Sequence, residues 1–363
     1  MPANQTDFDF MAQDKALEAL SRIGGKDDWR TAFIRQLVSF EGQIQAPGVD
    51  VREDLTGPLV DALFDDDQVV RKTLSTGVTF EFLYRSKIAR DFVMSTPEAP
   101  DHAWEPQTSR ILVDLAKGAK NVVIGGAYFG DHAVLIARAI AGDGGVVHAF
   151  EPNTQQRGML MRNAELNGLS NIKPRPEGLW HDSTTNLKLV GYDSFANAEV
   201  AEAGDDTFKT VTIADYLKAA GVDRLDLIVL DIEGAELGAL KGAEAFLSAP
   251  KGEAPAILFE VHRHYVDWSN GLENTEIVKL LTDRGYTVFA LRDFNSNYDL
   301  AGRPVELIPV DAVYLEGPPH GFNMVAVKDP SVFDGPGYSI VRDVSPKYLR
   351  HKDPKLHHPV GGL

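Results

Sequence analysis

The stretch that most constrains this chain runs from Asn121 to Pro152 and reads as a strand, a glycine loop, a helix and a second strand. Asn121-Val-Val-Ile-Gly125 is short, apolar and rich in β-branched residues, the pattern of a strand buried on both faces. Gly125-Gly126-Ala127-Tyr128-Phe129-Gly130 follows at once. Glycine accepts backbone angles that a Cβ forbids and lets a ligand approach the main chain. Asp131 then caps a helix through Val134, Leu135, Ala137 and Ile140, and Val146-Val-His-Ala-Phe150 delivers Glu151 to the carboxyl end of the next strand.

Ligands of open α/β sheets sit beyond the carboxyl ends of the strands, and an acid placed there accepts hydrogen bonds from a ribose diol. The unit therefore predicts a nucleoside cofactor. The usable glycine spacing is Gly126-x-x-x-Gly130, wider than the dinucleotide fingerprint. That favours S-adenosylmethionine over a nicotinamide dinucleotide.

The formal charge of −17 and pI near 5.0 argue against a surface that tracks phosphates, so no nucleic-acid partner is expected. Without cysteine there is no thiolate nucleophile and no thiolate metal site. The first residues lack a basic region followed by an apolar core, and no apolar run reaches membrane-spanning length. The reading is a cytoplasmic protein without a membrane partner.

Residues 1–105 carry apolar positions at three- and four-residue intervals (Leu17, Leu20, Ile23; Ala32, Phe33, Leu37; Leu59, Val60, Leu63), which predicts an N-terminal helical cap. The cap either covers the sheet or serves as a lid or a homo-oligomer contact. The proline-containing run Ser95 to Pro106 links it to a catalytic domain over 106–330, and 331–363 form a tail packed on that domain.

Ile172 to Leu179 reads as a third strand whose end, Glu177-Gly178-Leu179-Trp180, is placed to flank a flat base, with Trp180 as a wall. Asn186 to Gly191 and Phe208 to Thr212 suggest an inserted hairpin. Leu225 to Leu230 is a continuous apolar run ending at Asp231, and Ala256-Ile-Leu-Phe-Glu260-Val-His262 is a second. As adjacent parallel strands they would bring Asp231 and Glu260 to one edge. After a strand over Tyr286 to Leu291, the long polar return to Asn323–Val327 predicts an antiparallel last strand.

Taken in order, Gly126-Ala-Tyr-Phe-Gly130, Phe150-Glu151-Pro152, Asp231-Ile-Glu-Gly-Ala-Glu236, Leu240-Lys-Gly-Ala243 and Leu258-Phe-Glu260 resemble the FkbM-type S-adenosylmethionine-dependent methyltransferases. The resemblance spans Trp104 to Lys328. It implies the class I fold, a doubly wound, mostly parallel seven-stranded α/β sheet with the last strand antiparallel. It also implies O-methylation of a small acceptor, a sugar or another natural product. The cofactor-binding candidates are Gly126, Tyr128, Gly130, Asp131, Glu151, Pro152, Trp180 and Asp231.

An alcohol loses a proton as it attacks, and His262, His264, Glu233 and Glu236 are candidates to take it; the catalytic candidates are Asp231, Glu233, Glu260 and His262. Asp231 and Glu260 are also candidate ligands for Mg²⁺ or Mn²⁺. The alternatives are N-methylation of a peptide or amide, a nucleoside-binding protein without turnover, and an NAD-dependent oxidoreductase, the last suggested by the Tyr348-x-x-x-Lys352 spacing.

Overall fold

A computed structural model describes residues 5–44, 48–65, 67–191, 197–294, 297, 299–300, 302–315, 321–348 and 358–359. In the N-terminal part, helices α1 (Gln5–Gly24), α2 (Asp27–Glu41) and α3 (Gly57–Asp61) precede strands β1 (Val69–Thr73) and β2 (Thr79–Leu83), then α4 (Lys87–Val93). This region is thus not helical throughout. β1 and β2 pair antiparallel, and the pattern missed them because β1 is polar and only half-buried.

The chain then runs α5 (Pro106–Leu115), β3 (Asn121–Gly125), α6 (Asp131–Ile140), β4 (Val146–Phe150), α7 (Thr154–Leu166) and β5 (Ile172–Arg175). Four short strands follow: β6 (Gly178–Leu179), β7 (Asn186–Val190), β8 (Asn197–Ala201) and β9 (Thr207–Val211). Next come α8 (Ile213–Ala219), β10 (Leu227–Leu230), α9 (Glu236–Lys241), α10 (Glu244–Leu247), β11 (Ala256–His262), α11 (Glu276–Thr282), β12 (Thr287–Arg292), β13 (Val305–Pro309), β14 (Gly321–Val327) and β15 (Tyr338–Ile340).

Among the described residues the main sheet has nine strands in the order β15-β13-β12-β14-β11-β10-β3-β4-β5, rather than seven. The additions are β13 and β15, built from the return connection that reads as polar loop and from the C-terminal residues. From β11 through β5 neighbouring strands are parallel, and β14 runs antiparallel to both β11 and β12, as the helix-free return predicts.

Alternate residues of the central strands feed two cores. Val123, Ile228, Leu230, Ile257 and Phe259 pack with Leu217, Leu240 and Leu281, while Val122, Ile124, Val147, Val229 and Leu258 pack with Ile111, Ile136 and Leu160. Burial on both faces explains the unbroken apolar runs. A third core, around Phe80, Phe82 and Phe92, reaches Phe129 and Val134 next to the glycine loop.

The segment read as one strand over Ile172 to Leu179 is divided. β5 joins the main sheet, whereas β6 pairs with β9 in a four-stranded sheet ordered β6-β9-β7-β8. The inserted hairpin is therefore part of a small sheet beside the main one.

Candidate active site

β3 and β10 pair in parallel, with Gly125 opposite Leu230, so the glycine loop and the Asp231 turn leave the same edge side by side. A Cβ on Gly126 would lie 1.8 Å from the Asp231 carbonyl oxygen, and φ here is 75°. Glycine at this point is demanded by the approach of the neighbouring turn. Gly130, at φ 95°, lets the first turn of α6 close on Leu160, 2.7 Å from where a Cβ would stand.

Glu151 follows β4 and is 7% exposed. Its Oε2 accepts the Tyr128 N–H at 2.9 Å and its Oε1 accepts the Asn153 N–H at 2.8 Å. One carboxylate thus ties the glycine loop to the start of α7 at the wall of the cleft. Tyr128, at φ 46°, is one of the four described non-glycine residues with positive φ; Glu105 (47°) and Glu233 (50°) are two others near this cleft. Such conformations cost on the order of 1 kcal/mol each and persist where surrounding contacts over-determine them.

The cleft measures about 1170 Å³ including its part open to solvent. Its lining includes the predicted residues Gly126, Tyr128, Asp131, Glu151, Pro152, Asp231 and Glu233. Gly130, Trp180, Glu260 and His262 are not among the lining residues. Trp180 packs its ring on α9, within 2.7 Å of where a Gly238 Cβ would be, and the wall expected of it is supplied by Leu179, Leu187 and Phe208. Leu179 and Glu177 belong to the stretch that reads as flanking a flat base, whereas Leu187, Phe208 and Ile88 were missed because the small sheet and the N-terminal part reach the cleft only through tertiary packing.

β10 and β11 are parallel with Leu230 opposite Phe259, which sets Asp231 beside Glu260. One oxygen each from Asp231, Glu233 and Glu260 lie within 4.8 Å of one another. Asp231 keeps accessible surface because it faces the open cleft, although the chain otherwise encloses it. Burial, and then the charges of Glu233, Glu105, Glu236 and Asp131, hold its carboxyl well above the ordinary range. Burial and the charge of Asp231 do the same for Glu260. Glu233 is pushed up to about 6 by burial.

Glu236 is occupied differently. Its oxygens accept the Ile232 N–H at 2.9 Å and the Gly234 N–H at 3.0 Å, so it shapes the turn that carries Glu233. Gly321 leaves space for both Glu260 and His262, whose atoms would come within 2.5 and 2.6 Å of a Cβ there. The His262 ring stacks on His264 at 4.8 Å, and Tyr265 lies over Gly234. Tyr348, singled out with Lys352 for its spacing, is buried with its hydroxyl on Glu306, remote from the glycine loop in the sheet order; Lys352 lies outside the described residues.

Residues 125–288 match the family model described as the methyltransferase FkbM domain. No curated protein matches the chain. Among solved structures it is similar to the methyltransferase FkbM of Methylobacillus flagellatus KT, at 21% identity and TM-score 0.29, over 41% of this chain and 34% of that one. It is also similar to precorrin-6y C5,15-methyltransferase of Geobacter metallireducens GS-15, at 11% identity and TM-score 0.35, over 61% and 89% of the two chains. TYW2 of M. jannaschii, in complex with AdoMet, matches at 12% identity and TM-score 0.34, over 72% and 86%. The chain spans about a third of the length of the first of these structures.

Proposed function

Taking the methyltransferase FkbM domain over residues 125–288 as premise, we propose that the cleft binds S-adenosylmethionine and that the protein methylates a hydroxyl of a small acceptor such as a sugar or another natural product. The observation that carries this is Glu151, a buried carboxylate at the tip of β4 that is anchored by the Tyr128 and Asn153 N–H groups and lines the cleft where a ribose diol would meet it.

The lining fits a nucleoside bearing a charged tail. Phe150, Leu179, Leu187 and Phe208 supply an apolar wall for a base, Glu151 a diol acceptor, and Asp131, Asp231 and Glu233 carboxylates for the cationic end. When bound, the cofactor supplies an electrophilic methyl group on a sulfonium. The chain's part is to hold the acceptor in line and take its proton, since alignment alone can account for much of the acceleration.

Glu233 is best matched to take that proton, because burial brings its carboxyl to about 6, near a neutral working pH. Asp231 and Glu260, held protonated more readily by burial and then by neighbouring carboxylates, can share that proton or orient the hydroxyl. His262 stands beside Glu260 across Gly321.

The Asp231, Glu233 and Glu260 oxygens are close enough to share Mg²⁺ or Mn²⁺, but three carboxylates fall short of the about six oxygen ligands such ions take, so no step is assigned to a metal. The test is incubation with radiolabelled S-adenosylmethionine and a panel of hydroxylated and amine acceptors. A mass gain of one methyl on a hydroxyl supports the reading. Label passing only to amines overturns the acceptor, and failure to bind the cofactor overturns the whole.

A further inference from the structure

Residues Val344 to Tyr348 form a strap across the end of the sheet. Val344 and Lys347 bridge to Val313 and Asp293, the Asp293 N–H donates to the Pro346 carbonyl at 3.0 Å, and the Tyr348 N–H donates to the Asp293 carbonyl at 2.8 Å. Tyr348 anchors the far side, with its hydroxyl donating to Glu306 at 2.6 Å and the Arg292 guanidinium 4.3 Å over its ring. Between these anchors the Lys347 side chain is driven inward and is 1% exposed.

Its Nζ lies 3.6 Å from Glu105 Oε1 and has no hydrogen-bond partner among the described residues. Burying an ammonium in this way costs several kcal/mol, roughly, unless opposite charge surrounds it. The surroundings supply that charge. Glu105 is itself buried, with Oε2 accepting the Asn323 amide at 2.6 Å. Beyond it stand Asp293, Glu260, Asp231, Glu233, Glu236 and Asp131, and Lys347 is a cation whose charge reaches Glu260. Glu105 also follows Trp104, which lines the cleft.

We propose that Lys347 is the resident counter-cation of the carboxylates at the reacting end of the cleft, and that it sets how strongly they prefer a cationic ligand over a neutral one. The C-terminal strap is then a positioning element of the site. This rests on the reading of the cleft as an S-adenosylmethionine site. The cofactor carries a sulfonium charge that its thioether product, S-adenosylhomocysteine, lacks. An unbalanced group of carboxylates would favour the cation in the ground state, and that favours binding at the expense of transfer, during which the positive charge leaves sulfur. A fixed ammonium inside the group offsets that preference.

The test compares the affinities of the full chain for S-adenosylmethionine and S-adenosylhomocysteine by calorimetric titration, in the wild type and in Lys347→Met, Lys347→Arg and Glu105→Gln. Removing this positive charge from among the carboxylates should raise the ratio in favour of the cation by about three- to tenfold in Lys347→Met. Lys347→Arg should keep the wild-type ratio, and Glu105→Gln should lower it. Equal weakening of both ligands in Lys347→Met marks a purely structural lysine and overturns the proposal. Should Lys347→Met not fold, an unchanged ratio in Glu105→Gln overturns it instead. A wild-type chain that binds neither compound refutes the cofactor reading itself, which keeps the two failures distinguishable.

Discussion

The Asn163 side chain closes a two-bond ring on the backbone of Glu81: its Oδ1 accepts the Glu81 N–H at 2.7 Å and its Nδ2 donates to the Glu81 carbonyl at 2.8 Å. The same Nδ2 donates to the Phe129 carbonyl at 2.8 Å, and Asn167 repeats the two-bond ring at Thr79 one turn later. Helix α7 thus reads the free edge of β2 as a neighbouring strand would, which joins the N-terminal part to the glycine loop.

Asn163→Ala leaves the Glu81 N–H and the Phe129 carbonyl without these partners, and unsatisfied buried polar groups cost about 1–3 kcal/mol each. The expected loss is about 2–4 kcal/mol. Chemical denaturation of the variant beside the wild type measures it, and a loss confined to a few tenths would show that water replaces these bonds freely.

Glu151→Ala should weaken S-adenosylmethionine by about 1.5–3 kcal/mol, the scale of a hydrogen bond to a charged group. Gly126→Ala should behave differently. Its Cβ would collide with the Asp231 carbonyl, so the defect is in the fold and shows in the melting temperature before any ligand is added. Calorimetric titration and thermal melts on both variants separate the two effects, and a normally stable Gly126→Ala would contradict the packing.

What the sequence made legible is the part in which one segment predicts its own environment. Val122–Ile124 and Leu227–Leu230 are apolar at every position because both faces are covered, so the central strands, their parallel order and the meeting of Asp231 with Glu260 could be read directly. Features that depend on distant partners could not. β1 is a polar strand with a single neighbour, and Trp180 looks like a base-stacking residue until Gly238 is found under its ring. Lys347 carries no local signal, since only the path of the strap brings it to Glu105.

Stability should fall as pH rises through neutrality, in part through Glu236. Burial lifts this carboxyl from the ordinary 4.5 to about 7, outweighing the two backbone N–H groups that favour its ionised form. A raised folded-state value means stability that is fully present below the unfolded value and is lost as pH rises through the folded one. The window is therefore about pH 4.5 to 7, with up to about 3 kcal/mol at stake at about 1.36 kcal/mol per unit. Unfolding free energies at pH 5 and pH 8 should differ less in Glu236→Gln than in the wild type. An equal difference in the two proteins would remove Glu236 as the cause.

Exhaustive chelation should leave methyl transfer undiminished. The case for an ion is the approach of the Asp231, Glu233 and Glu260 oxygens to within 4.8 Å, the usual overture to shared coordination. Against it, carboxyls that burial and mutual repulsion hold above their ordinary range bind a cation less readily at neutral pH, because the proton competes for the same lone pairs. Lys347 already places a positive charge beside Glu105 and acts on Glu260, which lowers the attraction for a second cation. The acceptor hydroxyl can instead be activated by passing its proton to Glu233, whose value of about 6 leaves it mostly ionised at pH 7. Turnover measured after chelation, with and without added Mg²⁺ or Mn²⁺, decides between the two. Activity that vanishes in chelator and returns with either ion would assign the three carboxylates to a metal, and Glu233→Gln would then cost affinity for the ion before it cost the proton transfer.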